Sequence, residues 1–151
     1  MTDLALDQQI AAFLAVCRTA SLATIDGASH PYAANVQYVS DSAWRLFWVS
    51  KSTAAHSENV RAKPRAAITI YAHIDTPENI HGVQMRGAVT KVDEAEAAKV
   101  LKRYETKYPF VAEGPFRDAI AAQQFYCFTP NWLRWIDNRQ HFGFKVEKNM
   151  I

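Results

Sequence analysis

Glycine is scarce, with five residues in a chain of 151, and none of the five forms a dinucleotide-binding fingerprint or a P-loop. Nucleotide binding of either kind is therefore excluded. Cysteine is scarcer still: Cys17 and Cys127 cannot make a disulfide framework, and each reads as a small buried hydrophobe. The five histidines, His30, His56, His73, His81 and His141, are widely spaced. No His-x-x-x-His, Cys-x-x-Cys or Glu-x-x-x-His grouping occurs, so no metal site is expected. Gly-x-Ser-x-Gly is also missing, and no Ser–His–Asp triad can be assembled from spacing. Net charge is only +2, too weak to draw a nucleic acid by electrostatics alone. No apolar run reaches the about 18 residues of a membrane span. The Met1-Thr2-Asp3 start has neither the charge nor the apolar core of a signal peptide. These absences lead us to expect a soluble cytoplasmic protein without membrane or nucleic-acid partners.

What the chain has is a core. It is 49% hydrophobic and 21% charged, with eight Phe, six Tyr and four Trp. A single domain of this length buries roughly 68–70% of the surface its unfolded chain exposes, so residues 1–151 are read as one domain. Aromatics cluster in short runs, Trp44–Trp48 and Phe125–Trp135, which suits strands better than helices.

Leu6, Ile10, Phe13, Leu14 and Cys17 recur at helical spacing and predict a helix over 4–18, with Asp3 as its cap. Strands are predicted over 21–26, 31–40, 44–50, 66–73 and 82–92, with Asp26-Gly27 and Asp41-Ser42 as turns. A loop is expected at 75–79. Gly87, in the middle of a strand, signals a bulge or a barrel corner. Thr53 can cap a short helix over 54–61 that stops before Pro64. Asp93 and Glu96 form a capping box, followed by Ala97, Val100, Leu101, Tyr104 and Tyr108 on one helix face. A short helix at 116–122 and strands at 124–128, 132–137 and 142–146 complete the chain. Consecutive strands with short links favour an antiparallel barrel over a doubly wound sheet.

Chemistry concentrates at Ser50-Lys51-Ser52-Thr53-Ala54-Ala55-His56. There a strand ends, hydroxyls and a cation follow, and a helix begins with unpartnered amides. Ser50, Ser52 and Thr53 offer hydroxyls, Lys51 a full charge and His56 a switchable one, a set that suits a phosphate dianion. Ordinary helix capping and a solubilising lysine would use the same residues. Asn35 with Gln37, and Gln84 with Arg86, share strand faces. Their amides match the mixed donor–acceptor edge of an isoalloxazine ring, and equally suit a solvated sheet face.

The order of the pieces Ser21–Asp26, His30-Pro31-Tyr32, Asn35–Val39, Leu46–Ser50, His56–Ala67 and Gly82–Ala88 resembles the FMN-binding split-barrel family, the pyridoxamine 5'-phosphate oxidase-like superfamily. The likeness is to its small uncharacterised members. It covers residues 4–110 well and the Trp132–Phe144 tail more loosely. The resemblance implies a mainly β (α+β) fold, a six-stranded antiparallel Greek-key split β-barrel with flanking helices. It implies a homodimer with two FMN sites at its interface and a small-molecule substrate or electron donor. Carried over by position, Ser50, Lys51, Ser52, Thr53 and His56 would hold the phosphate. Asn35, Val36 and Gln37 would meet the ring, Gln84 would approach from another strand, and Trp132 or Phe142 would close the site from the partner chain. The family's oxidases carry basic residues where this chain has Ala34 and Val39, and a lysine where it has His56. No Arg-x-His substrate motif is evident near the C-terminus. The resemblance therefore implies a flavin-dependent oxidoreductase that does not use pyridoxamine phosphate. Haem or deazaflavin binding on the same barrel, with His141 a candidate iron ligand, and a dimeric interaction protein with a vestigial pocket are the alternatives.

Overall fold

A computed structural model describes residues 2–73 and 76–150. The order is α1 (Asp3–Val16), β1 (Thr19–Ile25), β2 (Pro31–Gln37), β3 (Val39–Ser40), β4 (Leu46–Ser50), α2 (Ala55–Ala62), β5 (Arg65–Tyr71), β6 (His81–Lys91), α3 (Glu94–Lys107), α4 (Pro115–Ala121), β7 (Gln124–Asp137) and β8 (Lys145–Asn149). Short 3-10 turns sit at Pro77–Asn79 and Pro109–Ala112. The loop expected from Asp75 lies partly outside the described residues.

All strands join one antiparallel sheet in the order β2-β1-β5-β6-β7-β4-β3, with β8 beside β7. β2 and β3 are separated only by Tyr38, so residues 31–40 act as one strand that changes partner. Its first half pairs β1 and its last two residues pair β4. The sheet thus curls until its ends meet, which makes a six-stranded barrel with β8 as a seventh, external strand. β5 returns across α2 to lie beside β1, the Greek-key pattern.

Alternation decides what fills the barrel. β1 places Ala20, Leu22 and Thr24 inward and leaves Ser21, Ala23 and Ile25 exposed. Trp48, Met85, Phe128, Leu133 and Trp135 meet them, and α1 adds Leu6, Ile10 and Leu14 to the same core. A second core forms outside the barrel, where α3 lays Val100, Tyr104 and Tyr108 over Val39, Phe47, Phe125 and Cys127. β4 is consequently buried on both faces.

Several local expectations change. Thr2, not Asp3, caps α1, its side chain accepting from the Ala5 amide. Trp44 belongs to a turn rather than a strand. It has φ of 61°, and the Asp41 carboxylate accepts from the Ala43 and Arg45 amides around it. The strands expected at 124–128 and 132–137 are one 14-residue strand, β7, in spite of Pro130. The sheet tolerates this proline because its register shifts there: Arg86 pairs Trp132 while Gly87 pairs Pro130, which leaves Asn131 as the extra residue of a bulge. Gly87 meets the bulge as expected. A Cβ at Gly87 would lie 2.2 Å from the Thr129 carbonyl oxygen. The last strand begins at Lys145, so Phe142 lies in the preceding turn.

Candidate functional site

Tyr38 sits at the seam of the barrel. A strand that changes partner leaves backbone carbonyls outside either ladder, and buried carbonyls need donors. The tyrosines of α3 and its C-terminus supply them. The Tyr104 hydroxyl donates to Gln37 O at 2.8 Å and to Phe47 O at 3.3 Å. The Tyr108 hydroxyl donates to Tyr38 O at 2.8 Å and to Arg18 O at 3.0 Å. Burial raises the Tyr104 pKa, and pushes that of Tyr108 up to about 12, so both remain donors at neutral pH. The Tyr38 hydroxyl donates to Leu14 O at the end of α1. Lys107 donates to Cys17 O and lies 4.0 Å from the Tyr38 ring centroid. Burial brings the Lys107 ammonium down to about 8.

Beside this seam lies a cavity of about 290 Å³. The barrel contributes Asn35, Val36, Gln37, Val49 and Ser50, and α2 contributes His56. Tyr104, Tyr108, Phe110, Val111 and Ile120 form the opposite wall. Buried Ser50 shares a hydrogen bond of 2.8 Å with His56 through its Oγ and the imidazole Nε2. Burial lowers the His56 pKa, so the ring is neutral at pH 7.

The structure brings Asn35, Val36, Gln37, Ser50 and His56 to one cavity and distributes the other candidates elsewhere. Lys51, Ser52 and Thr53 are exposed in the connection above α2. Thr53 does not cap that helix; the N-cap is Ala54 and no side chain bonds the first turn. The amides of Ala55, His56 and Ser57 therefore remain open to an incoming acceptor. Ser52 lines a different cavity. Asn35 and Gln84 fall on one outward row through Asn35–Ser21, Ser21–Thr69 and Thr69–Gln84. Three strand spacings separate them by about 14 Å. Asn35 Oδ1 accepts from Ser21 Oγ at 3.0 Å, and Gln84 Oε1 accepts from Arg134 Nη1 at 3.3 Å. Trp132 is half-buried on that face, with Arg86 4.2 Å and Arg134 5.2 Å from its ring centroid. Phe142 is 81% exposed. His141 is exposed at the turn before β8, its ring edge-on to Phe144. Among the described residues no group of three or more His, Cys, Asp or Glu side chains could hold a metal.

The sequence reading missed the wall built from α3, the 3-10 turn and α4. A signal existed: two tyrosines four residues apart on an apolar helix face, where phenylalanine would pack as well, imply hydroxyls with buried partners. Val39 is 1% exposed in the core under α3, where a lysine could not remain hydrated.

The chain shares its fold with proteins of known structure. A heme-binding protein from Mycobacterium smegmatis shares the fold with a TM-score of 0.77 at 18% identity, over 99% of this chain and 59% of that one. A conserved hypothetical protein from Mycobacterium tuberculosis matches with a TM-score of 0.77 at 22% identity, over 93% and 87% of the two chains. A putative pyridoxamine 5'-phosphate oxidase from Listeria innocua matches with a TM-score of 0.67 at 19% identity, over 87% and 98%. A search of proteins with curated functions finds no match. No helix among the described residues is long and apolar enough to cross a membrane. The sequence itself matches the pyridoxamine 5'-phosphate oxidase family model over residues 6–137, most of its length, and the chain belongs to that family.

Proposed function

We propose that this protein is an FMN-binding member of its family, a cytoplasmic flavin-dependent oxidoreductase of a single domain that does not act on pyridoxamine phosphate. The observation that carries this reading is the cavity at the seam. It gathers Asn35, Val36, Gln37, Ser50 and His56 from three separated segments beside the uncapped first turn of α2. The donor set fits a phosphorylated flavin. Open helix amides and Lys51 suit the phosphate. Val36, Val49, Phe110 and Ile120 offer apolar walls to a ring, and the Asn35 and Gln37 amides offer polar edges. A bound flavin would supply the electron-transfer chemistry. The chain's own part is to seat the phosphate at Lys51 and α2, orient the ring along β2, and exclude water with the α3–α4 wall. His56, neutral and tied to Ser50, would donate or accept a hydrogen bond rather than contribute a charge.

The cavity is at the lower edge of the roughly 300–1,000 Å³ of small-molecule sites. We propose that a second copy of the chain completes the site. The outward face of β1, β2 and β5 presents Ala23, Ala33 and Ala67 in adjacent register, a flat surface on which a partner can pack closely. A homodimer across it would bring Trp132 or Phe142 of the partner subunit toward the ring.

The absorption spectrum of the purified protein before and after FMN addition tests this, with the flavin's fluorescence as a second readout. Bound FMN quenches or shifts it. A colourless protein that leaves added FMN unperturbed overturns the proposal. Haem is the second reading, favoured by the neutral imidazole of His56, since iron binds the unprotonated ring. A Soret band on haem addition that His56→Ala abolishes would replace flavin with haem. No response to either leaves the interaction-protein reading.

A further inference from the structure

The outer wall of the seam cavity carries a run of aromatic rings. Tyr104 stacks on Tyr108 at 5.6 Å between centroids, Tyr108 tilts against Phe110 at 6.0 Å, and Phe110 meets Phe116 edge-on at 5.9 Å. Tyr104 and Tyr108 are buried, and their hydroxyls are spent on backbone carbonyls. Phe110 and Phe116 are different: they are 49% and 58% exposed. Single exposed apolar side chains are ordinary. Two in contact, one of them lining a cavity, form an apolar surface at its mouth and mark a place for a ligand.

The cavity is also without charge. Among the residues that line it there is no Asp, Glu, Lys or Arg, and His56 is neutral at pH 7. Lys51 is exposed on the connection to α2 and is not one of them. Val49, Val111 and Ile120 extend the apolar side beside Phe110. An ion entering there would give up its water and meet no opposite charge, which is costly. A neutral aromatic ring would gain edge-to-face and offset contacts instead.

We propose that the wall side of the seam cavity receives an uncharged aromatic molecule, with Phe110 as the platform it stacks on and Phe116 as the outer edge. Its role as the substrate rests on the flavin reading above; the binding itself does not.

Two-dimensional NMR titration with 2-naphthamide and 2-naphthoate tests it, with and without saturating FMN. The two probes share a ring system and nearly a shape, and differ by one charge. The expected result is saturable amide shifts at Val49, Phe110 and Ile120, with naphthamide bound at least about tenfold more tightly than naphthoate. Phe110→Leu keeps apolar bulk but removes the ring, and should weaken naphthamide about two- to tenfold. A role in packing alone would leave that affinity unchanged. Equal affinity for the two probes, no saturable binding in either flavin state, or full affinity in Phe110→Leu would each overturn the assignment. Self-association that Phe110→Leu abolishes, with neither probe bound, would give the rim to a second copy and overturn it too. The flavin reading fails separately: a protein that prefers naphthamide and ignores FMN keeps the aromatic site and loses the flavin.

Discussion

His56 is the titratable side chain in the uncapped first turn of α2, beside which the proposed FMN phosphate would lie. Its side chain is half-buried and burial lowers its pKa from 6.5. At pH 7.5 the ring is therefore neutral by more than about ten to one. It lends a phosphate a hydrogen bond but no charge. His56→Lys places a permanent cation at the same point of α2. A charge-assisted hydrogen bond is worth about 1.5–3 kcal/mol, and a cation at a helix N-terminus is opposed by about 0.3–1 kcal/mol. The net gain of about 1–2 kcal/mol should tighten FMN about 5- to 30-fold. Ser50 loses its imidazole partner in both the free and the bound protein, so that loss registers in stability more than in affinity. The sign of the pH effect follows from the lowered pKa. Phosphate binding favours the imidazolium, so wild-type affinity should rise as pH falls below 6.5 toward the lowered His56 pKa, while His56→Lys stays nearly flat. Titration of flavin fluorescence with FMN and with riboflavin separates phosphate from ring. The substitution should tighten FMN and leave riboflavin unchanged. Equal effects on the two flavins, or none on either, would refute the placement of the phosphate beside α2.

Three further outcomes concern the frame around the site. Tyr104→Phe removes the hydroxyl that donates to Gln37 O and Phe47 O, and Tyr108→Phe removes the one that donates to Tyr38 O and Arg18 O, the latter keeping the Tyr38 amide. Each should cost about 1–3 kcal/mol in urea unfolding, with the pair non-additive because both close one seam. Gly87→Ala drives a Cβ to 2.2 Å from a backbone oxygen of β7 that cannot turn aside. A loss of about 2 kcal/mol or more, with amide shifts across β6 and β7, should be seen by urea unfolding and NMR. Arg139→Ala leaves the buried Asp137 carboxylate without the guanidinium that bonds it at 2.8 and 3.0 Å. Up to about 3 kcal/mol should be lost, the low end for a broken buried pair because Arg139 is 39% exposed. Burial opposes ionisation of Asp137, yet the Arg139 bonds win and lower its pKa. The wild-type advantage over the variant should therefore be full above pH 3.8 and fade as pH falls through the folded-state pKa.

Much of the frame was legible because strand alternation and helix spacing are local properties. The α1 positions Leu6, Ile10 and Leu14, the α3 face through Val100, Tyr104 and Tyr108, and the bulge at Gly87 follow from periodicity and one misplaced glycine. The cap of α2 was not legible. Thr53 satisfies every local preference for a cap, but the turn closed by the Ala54 amide on Lys51 O starts the helix one residue later. Nor was the continuity of β7 through Pro130, because the bulge that excuses the proline is set by its partner strand. Asn35, Val36, Gln37, Ser50 and His56 line one cavity. Gln84, Trp132 and Phe142 do not join them within one chain.

The seam explains why the cavity forms where it does. A barrel closed by a strand that changes partner leaves free backbone groups at the change, and α3 answers them with two hydroxyls. The same helix and the turns after it then build the outer wall over Asn35–Gln37. Closing the barrel and enclosing the cavity are consequently one event. Tyr104→Phe should therefore disturb ligand binding as well as stability, although its hydroxyl is spent on Gln37 O and Phe47 O. Arg139→Ala, which acts on Asp137 at the far end of β7, should reduce stability and leave affinity unchanged. A Tyr104→Phe variant that loses stability but binds with full affinity would show that the wall stands without its staple.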